Sequence, residues 1–533
     1  MLRPQLRVLT ALATLLVLAG CGDEDSPNTT TATGALEPGS DASNLALEKA
    51  FMGVGGKQAL QDLSGFRYES SGQRFVLNEG FRTDDVTRVN TYRTSASLVA
   101  SGERLRLETE RVIDFIGITT NNTYTEIVDG NAGFVEGDEG LAAGFAAPDS
   151  PMTPARVAAV KRQQQLLNPH LVLAMLARGE ATATPAGMAI LDGQLHYVLE
   201  VDGIRLFVSA ASGRINKLST LEDVSPFKDS AVEAFFDDWQ PATGSRLLFP
   251  RVVTMAAAGE VVLMESRDAT VVEALAPTLF QLPAAAGVAF VAAEAERGLD
   301  SHAALSQPQA LGIPFRDALQ TTVVAAELAP GVWHLTGGSH HSMLVEQATS
   351  LVLVEAPLDP FRTKAIADWA AVQLPGKPIA HVINTHHHED HSAGVRQAVG
   401  LGARLLTHEA AADFWQRVLS APATVTADAL ANASVLAGVD YVANGGSVTL
   451  PDAQNPVTAY SVANCHAADM LIIGVQNLVF MSDILNPNGG TPICPLAETL
   501  RGIDAQGIAP ELIVGGHGST VSVAELRAQA AGG

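Results

Sequence analysis

The residues best able to do chemistry lie in one stretch, Thr385-His386-His387-His388-Glu389-Asp390-His391-Ser392-Ala393-Gly394. Four imidazoles and two carboxylates crowd six consecutive positions there. Such a cluster resists burial and becomes stable mainly when a cation occupies it. Neutral imidazole nitrogens and carboxylate oxygens are the donors that suit Zn²⁺. The bland reading, a solvated histidine-rich tract, is weakened by what surrounds the stretch.

Eleven of the fourteen histidines fall between Trp333 and His517. Strands are predicted at Val332 to Leu335, Ser342 to Glu346 and Ser350 to Ala356. A helix follows from Phe361 to about Val372, and then a buried strand from Ala380 to Ile383. The cluster sits at the C-terminal end of that last strand, and a helix capped by Ser392 is predicted straight after it. Ligands gathered where a strand ends and a helix begins are the usual arrangement of an α/β site.

Thr385-His386-x-His388-x-Asp390-His391 resembles the T-H-x-H-x-D-H signature of the metallo-β-lactamase superfamily. Three further elements occur in the same order. His466 follows a strand in Ser461-Val462-Ala463-Asn464-Cys465-His466. Leu471 to Val475 and Leu478 to Phe480 form a hairpin at Gln476-Asn477 that delivers Asp483. Leu512-Ile513-Val514-Gly515-Gly516-His517-Gly518 is similar to the strand and G-H-G element of the family. The resemblance covers about Leu328 to Gly533. It implies two Zn²⁺, the first held by His386, His388 and His466, the second by Asp390, His391 and His517, with Asp483 bridging. His386 and His388, two apart in extended backbone, can point the same way, and Asp390 and His391 then turn toward a second ion.

The resemblance further implies a dinuclear zinc hydrolase that uses a metal-bridging hydroxide to cleave an ester, thioester, lactone or amide carbonyl, with Asp390 orienting the attacking oxygen. Asp483, where the commonest zinc β-lactamases carry a thiolate, sets a zinc β-lactamase as the alternative. A complete second site argues against the iron dioxygenases of the superfamily. Glu355 and His387 are expected to support the metal shell from behind, and Glu389 to be exposed. Ser339-His340-His341 is expected at a turn with a structural role, and His381 and His408 to be structural or outer partners. Cys465 either pairs with Cys494 in an oxidising compartment or stays a small buried residue.

The first half carries no such constellation. From about Leu45 to Ala286 the apolar residues mostly alternate, as in Arg104-Leu105-Arg106-Leu107 and His196-Tyr197-Val198-Leu199. Hairpin signals stand at Ala211-Ser212-Gly213 and Ala257-Ala258-Gly259, and a helix from Ala155 breaks near Pro169. Phe235-Phe236-Asp237-Asp238-Trp239, Leu247-Leu248-Phe249-Pro250 and Leu279-Phe280-Gln281-Leu282-Pro283 resemble the half-barrel of lipoprotein-carrier proteins, which would allow an apolar ligand. His170 and His196 are expected to be structural.

At the N-terminus, Arg3 and Arg7 precede the apolar run Leu9 to Leu18. Leu18-Ala19-Gly20-Cys21 resembles the lipobox of bacterial lipoproteins, which implies lipidation of Cys21. Gly22 to Asn44 has the composition of a tether. The chain therefore divides into a signal (1–20), a tether (21–44), a β-rich domain (45–286), a linker (287–326) and a hydrolase domain (327–533). The fold expected is α/β: a C-terminal αββα metallo-β-lactamase sandwich after a mainly antiparallel curved sheet or half-barrel. The net charge of −24 disfavours nucleic acid and anionic membrane surface as partners. A small-molecule substrate is expected, with a membrane reached only through the lipid anchor, on the periplasmic side and by preference at the outer membrane. The rival of another class is a lipid-anchored binding protein whose metal domain is structural.

Overall fold

Alternation builds the first half of the chain. In a computed structural model of the protein, the described residues are 41–532 without 116, 143–145, 287–305, 314–319, 435–436, 486 and 488–493. Cys21 and most of the tether and linker lie outside them. Helices α1 (Asp41–Gly53) and α2 (Lys57–Gln61) lead into β1 (Gly65–Leu77), β2 (Val86–Val99), β3 (Arg104–Phe115), β4 (Ile118–Asp129), β5 (Ala132–Asp138) and β6 (Ser150–Pro151). Helices α3 (Pro154–Leu167) and α4 (Pro169–Arg178) follow, parted by Asn168 and Pro169 where the sequence predicts the break.

The chain then returns through β7 (Thr184–Leu191), β8 (Gln194–Val201), β9 (Ile204–Ser209), β10 (Ile215–Val224), β11 (Lys228–Pro241), β12 (Leu248–Ala257), β13 (Glu260–Arg267) and β14 (Val271–Val272). These strands make one fourteen-stranded sheet in which β1 pairs with both β2 and β13, so that the two meanders join at their inner strands. In β3 the residues Leu105, Leu107 and Ile113 are buried while their neighbours face out. Two hairpins turn on Asp192-Gly193 and Asp202-Gly203, all four residues with positive φ, the backbone that matches the twist of paired strands. Helices α1, α3 and α4 share a core with this sheet. A cavity of about 760 Å³ opens against β1 to β4, β12 and β13, lined by polar residues such as Gln73, Arg93, Glu110 and Asn121. An apolar ligand of the first half gains no support from it.

The second half has two smaller sheets. Seven strands run in order β15 (Val324–Ala329), β16 (Val332–Thr336), β17 (Ser342–Glu346), β18 (Leu351–Val354), β19 (Ile379–Ile383), β20 (Arg404–His408) and β21 (Val439–Val442). Six run in order β22 (Ser447–Leu450), β23 (Val457–Ser461), β24 (Leu471–Val475), β25 (Leu478–Phe480), β26 (Leu512–Val514) and β27 (Thr520–Ser522). Val352 and Val354 of β18 share a core with Val457, Ile473 and Phe480 of the six-stranded sheet. Leu351 and Leu353 turn to the other side, with Ile366 and Ala370 of the helix Pro360–Gln373. On the far side of the six-stranded sheet, Ile472 and Ile513 pack with Leu500 and Leu526.

The core of the large sheet does not stop at its own strands. It continues into Leu344, Leu353, Phe414 and Trp415, and Phe227 meets Phe414 edge to face with ring centres 5.7 Å apart. Among the described residues no helix is long and apolar enough to cross a membrane.

Candidate metal centre

Each sequence-predicted ligand lies just beyond a strand end or in the one-turn helix behind it. Thr385 to His391 follow β19, His466 follows β23, Asp483 follows β25 and His517 follows β26. Gly516 lets the last of these close in: a Cβ there would lie 3.0 Å from Ser482 Cα and 3.4 Å from His391 Cε1.

The structure brings all seven together in two groups. His386, His388, His466 and Asp483 form one; Asp390, His391 and His517 form the other, joined by His340. His466 Nε2 lies 3.3 Å from His386 Nε2 and 3.4 Å from Asp483 Oδ2. Asp483 Oδ1 lies 3.0 Å from His391 Nε2 and 3.1 Å from His517 Nε2. Donors about 2.0–2.2 Å from a tetrahedral ion stand roughly 3.3–3.6 Å from one another, a spacing that both His466 separations match and both Oδ1 separations of Asp483 approach from below. His391 Nε2, Asp390 Oδ1 and Asp483 Oδ1 are buried without a hydrogen-bond partner. Nitrogen and oxygen atoms crowded into one buried space in this way are what a cation satisfies. The residues fit a bound metal ion of the zinc type.

The ring nitrogens facing away are held. His391 Nδ1 donates to Glu355 Oε2 at 2.9 Å, and Thr385 and Ser482 donate their hydroxyls to Glu355 Oε1. Glu355 is fully buried and keeps a left-handed φ of 61°, a strained backbone of the kind retained at working sites. His386 Nδ1 meets Thr385 Oγ1 at 3.0 Å, and His517 Nδ1 donates to the Ser339 carbonyl at 2.9 Å. Each contact turns Nε2 toward the centre.

Charges in the centre face one another at close range. Burial works against a charged His391, but the carboxylates of Asp483, Glu355 and Asp390 outweigh it and raise its pKa well above the ordinary value. Burial likewise opposes ionised Asp483, which His391 and His517 nevertheless pull down. Burial and neighbouring imidazoles hold His386 and His388 well below the usual histidine range. A bound cation replaces the proton in this balance, leaving imidazoles neutral and carboxylates ionised.

Three expectations are corrected. A one-turn helix, Glu389–Ser392, precedes the expected helix, which runs Val395–Gly400 with Gly394 and not Ser392 at its N-cap; the Ser392 hydroxyl instead donates to the His387 carbonyl at 3.0 Å. Because the chain turns there, Glu389 is buried. The Ser339-His340-His341 turn is no bystander: buried His340 donates Nε2–H to Asp390 Oδ2 at 3.0 Å while its Nδ1 faces Ser339 Oγ. His387 is buried and supports the site from behind, its Nδ1 2.7 Å from Asp469 Oδ1. His408 meets Ser461 Oγ at 2.9 Å, as a structural histidine does. Cys465 and Cys494 form a disulfide.

One contributor comes from the large sheet. The β1–β2 loop carries Glu79 and Gly80 to the centre, where the Gly80 carbonyl accepts from His388 Nε2 at 2.9 Å. Alternation says nothing about a turn, and the sequence of this one has no ligand signature.

Residues 335–517 match the metallo-beta-lactamase superfamily. No curated protein matches the chain. Among solved structures, the chain is similar to the metallo-beta-lactamase FIM-1 from Pseudomonas aeruginosa in its mono-zinc form, at 20% identity and a TM-score of 0.31, over 39% of this chain and 95% of that one. It is also similar to a metallo-beta-lactamase from Pontibacter korlensis, at 16% identity and a TM-score of 0.31, over 39% of this chain and 98% of that one. The C-terminal region of this chain carries a metallo-beta-lactamase superfamily domain.

Proposed function

We propose that residues 327–533 form a hydrolase domain that binds two zinc ions and opens an ester, thioester, lactone or amide carbonyl. We read its two packed sheets, with helices outside both, as an αββα sandwich. The observation that carries the functional reading is the Asp483 carboxylate, one oxygen 3.0 and 3.1 Å from His391 and His517, the other 3.4 Å from His466. Bound zinc would supply an acidified water, a Lewis acid for the carbonyl and a counter-charge for the leaving anion.

The chain's own residues do the rest. His386, His388 and His466 would hold one ion, and Asp390, His391 and His517 the other. Asp390 Oδ2 accepts from His340, so Oδ1, which has no hydrogen-bond partner, is the oxygen left to meet the ion and to orient a water beside it. Glu355 keeps His391 in register while this happens. The substrate side is the side of Asp390 and His517, whose side chains keep 19% and 22% exposure while His386 and His391 keep none.

The test is a purified full chain assayed for zinc and for turnover of esters, thioesters, lactones and β-lactams. About two zinc ions per chain are expected, with hydrolysis lost in His388→Ala. A zinc-loaded chain inert to the whole panel overturns the reading and leaves the metal domain structural; turnover of a β-lactam alone selects the lactamase alternative. We also propose that the chain is exported and lipid-anchored through Cys21. The disulfide supports this, since such bonds persist in oxidising compartments. Cys21→Ser is expected to release the protein from the membrane fraction; retention there overturns the anchor.

A further inference from the structure

The β1–β2 loop, residues 78–85, belongs to the large N-terminal sheet, yet it ends against the metal centre. The bond between His388 Nε2 and the Gly80 carbonyl joins residues 308 positions apart. A second bond of 2.7 Å runs from the Ala468 N–H to the Phe81 carbonyl, two residues beyond His466. The loop therefore holds both strands of chain that carry the first histidine group. It is built tightly enough to do so. Arg82 N–H donates to Asp85 Oδ2 at 2.9 Å, Asn78 is buried with a left-handed φ of 58°, and a Cβ on Gly80 would lie 2.4 Å from Asp85 Cβ.

A neutral imidazole has one N–H. When His388 spends it on a backbone carbonyl, Nδ1 is left as the lone pair. His386, His391 and His517 find their orienting partners within the C-terminal region, at Thr385, Glu355 and Ser339. His388 takes its partner from the other sheet. Glu79 lies on the lone-pair side: its Oε2 is 3.9 Å from His388 Nδ1, and its side chain is 7% exposed. It adds a carboxylate to a space that already holds Asp390 and Asp483, an arrangement that is unfavourable for carboxylates alone and favourable beside a cation.

We propose that the β1–β2 loop is part of the metal centre, with Gly80 and Glu79 as positioning residues: the Gly80 carbonyl fixes the His388 tautomer that presents Nδ1 to a divalent cation, and the Glu79 carboxylate closes the site on that side. The proposal rests on the reading of His388 as a ligand. It also has a steric consequence. The loop covers His388 and His466, whose side chains are 5% and 6% exposed, so substrate reaches the centre past Asp390 and His517 and not across the first group.

The experiment compares the full-length chain with Glu79→Gln, Glu79→Asp, Gly80→Ala and, as a control, Asp84→Asn, an exposed position in the same loop. Zinc retention is measured by titration with a chromophoric chelator, alongside circular dichroism to establish folding. Loss of an orienting partner typically weakens metal binding 10–100-fold. That shift is expected for one of the two ions in Glu79→Gln and Gly80→Ala, with partial recovery in Glu79→Asp and none of it in Asp84→Asn. A changed visible spectrum of the cobalt-substituted Glu79→Gln protein is expected too, which a role in folding alone would not produce. Folded Glu79→Gln with zinc retention within twofold of the parent and an unchanged cobalt spectrum overturns the proposal. If Gly80→Ala does not fold, the Glu79 series decides. A parent chain that binds no zinc refutes the functional reading itself, which is a different result.

Discussion

At the scale of single residues, His340 is the one whose weight the sequence hides most. Its neighbours Ser339 and His341 look like turn residues, and fifty positions separate it from Asp390. Burial, then His517, hold its pKa down at about 3, so it is neutral at working pH and has a single N–H, given to Asp390. Removing it in His340→Ala frees Asp390 to rotate and is expected to weaken the second ion roughly 10–100-fold, with the first ion retained. Chelator titration would read this as one tight and one weakened zinc; two unchanged zincs would sink the assignment. The seven predicted ligands were legible because they sit in short strings with fixed spacing. His340 and Glu79 were not, because what makes them part of the site is a contact and not a pattern.

Among the elements, the loop that carries His466 is held by two separate devices. Asn464 Oδ1 accepts from the His466 and Ala467 N–H groups, and the Cys465–Cys494 disulfide ties the loop to the start of the helix Leu496–Ala505. The bond closes 29 residues, for which chain entropy gives about 3–4 kcal/mol. Cys494→Ser is therefore expected to lower unfolding stability by up to that amount and to loosen the first zinc group more than the second. Thermal unfolding and chelator titration, with and without reductant, check this; a variant equal to the parent in both would contradict it. The pairing stayed open in the sequence because two of three cysteines can always be paired on paper. The strands around it were easier, since β24 and β25 are short, continuous apolar runs that turn at Gln476 with a φ of 53°.

For the whole molecule, the large sheet and the C-terminal region share a core, and a titration inside the sheet should be felt throughout. His170 stacks on Phe249 with ring centres 3.7 Å apart and donates to the Leu248 carbonyl at 2.8 Å. Its burial lowers the pKa to about 3. The unfolded chain then binds a proton that the folded chain does not across the interval from the ordinary histidine pKa near 6.5 down to about 3. Stability is complete above that interval and falls as pH drops through it. Between pH 7 and 4.5 this residue alone takes away on the order of 2–3 kcal/mol. His170→Phe is expected to flatten that part of the stability curve in denaturant titrations. Equal slopes for variant and parent would show that another group governs it. The alternation of β1 to β13 announced a sheet, and the break at Pro169 announced two helices. The union of the halves was not announced, because Phe227 and Phe414, or Gly80 and His388, are brought together only by the finished fold.

That union gives the Gly80–His388 bond a reach beyond geometry. Coupling between two sites is reciprocal: whatever the sheet contributes to holding the ion, the ion returns to the sheet. A chain saturated at a hundred times its dissociation constant gains about 2.7 kcal/mol, shared by every strand whose folding the β1–β2 loop requires. Zinc affinity thus becomes a gauge of damage far from the metal. A substitution at the outer edge of the large sheet, far from the β1–β2 loop in strand order, would be registered first as a protein that lets go of its ion.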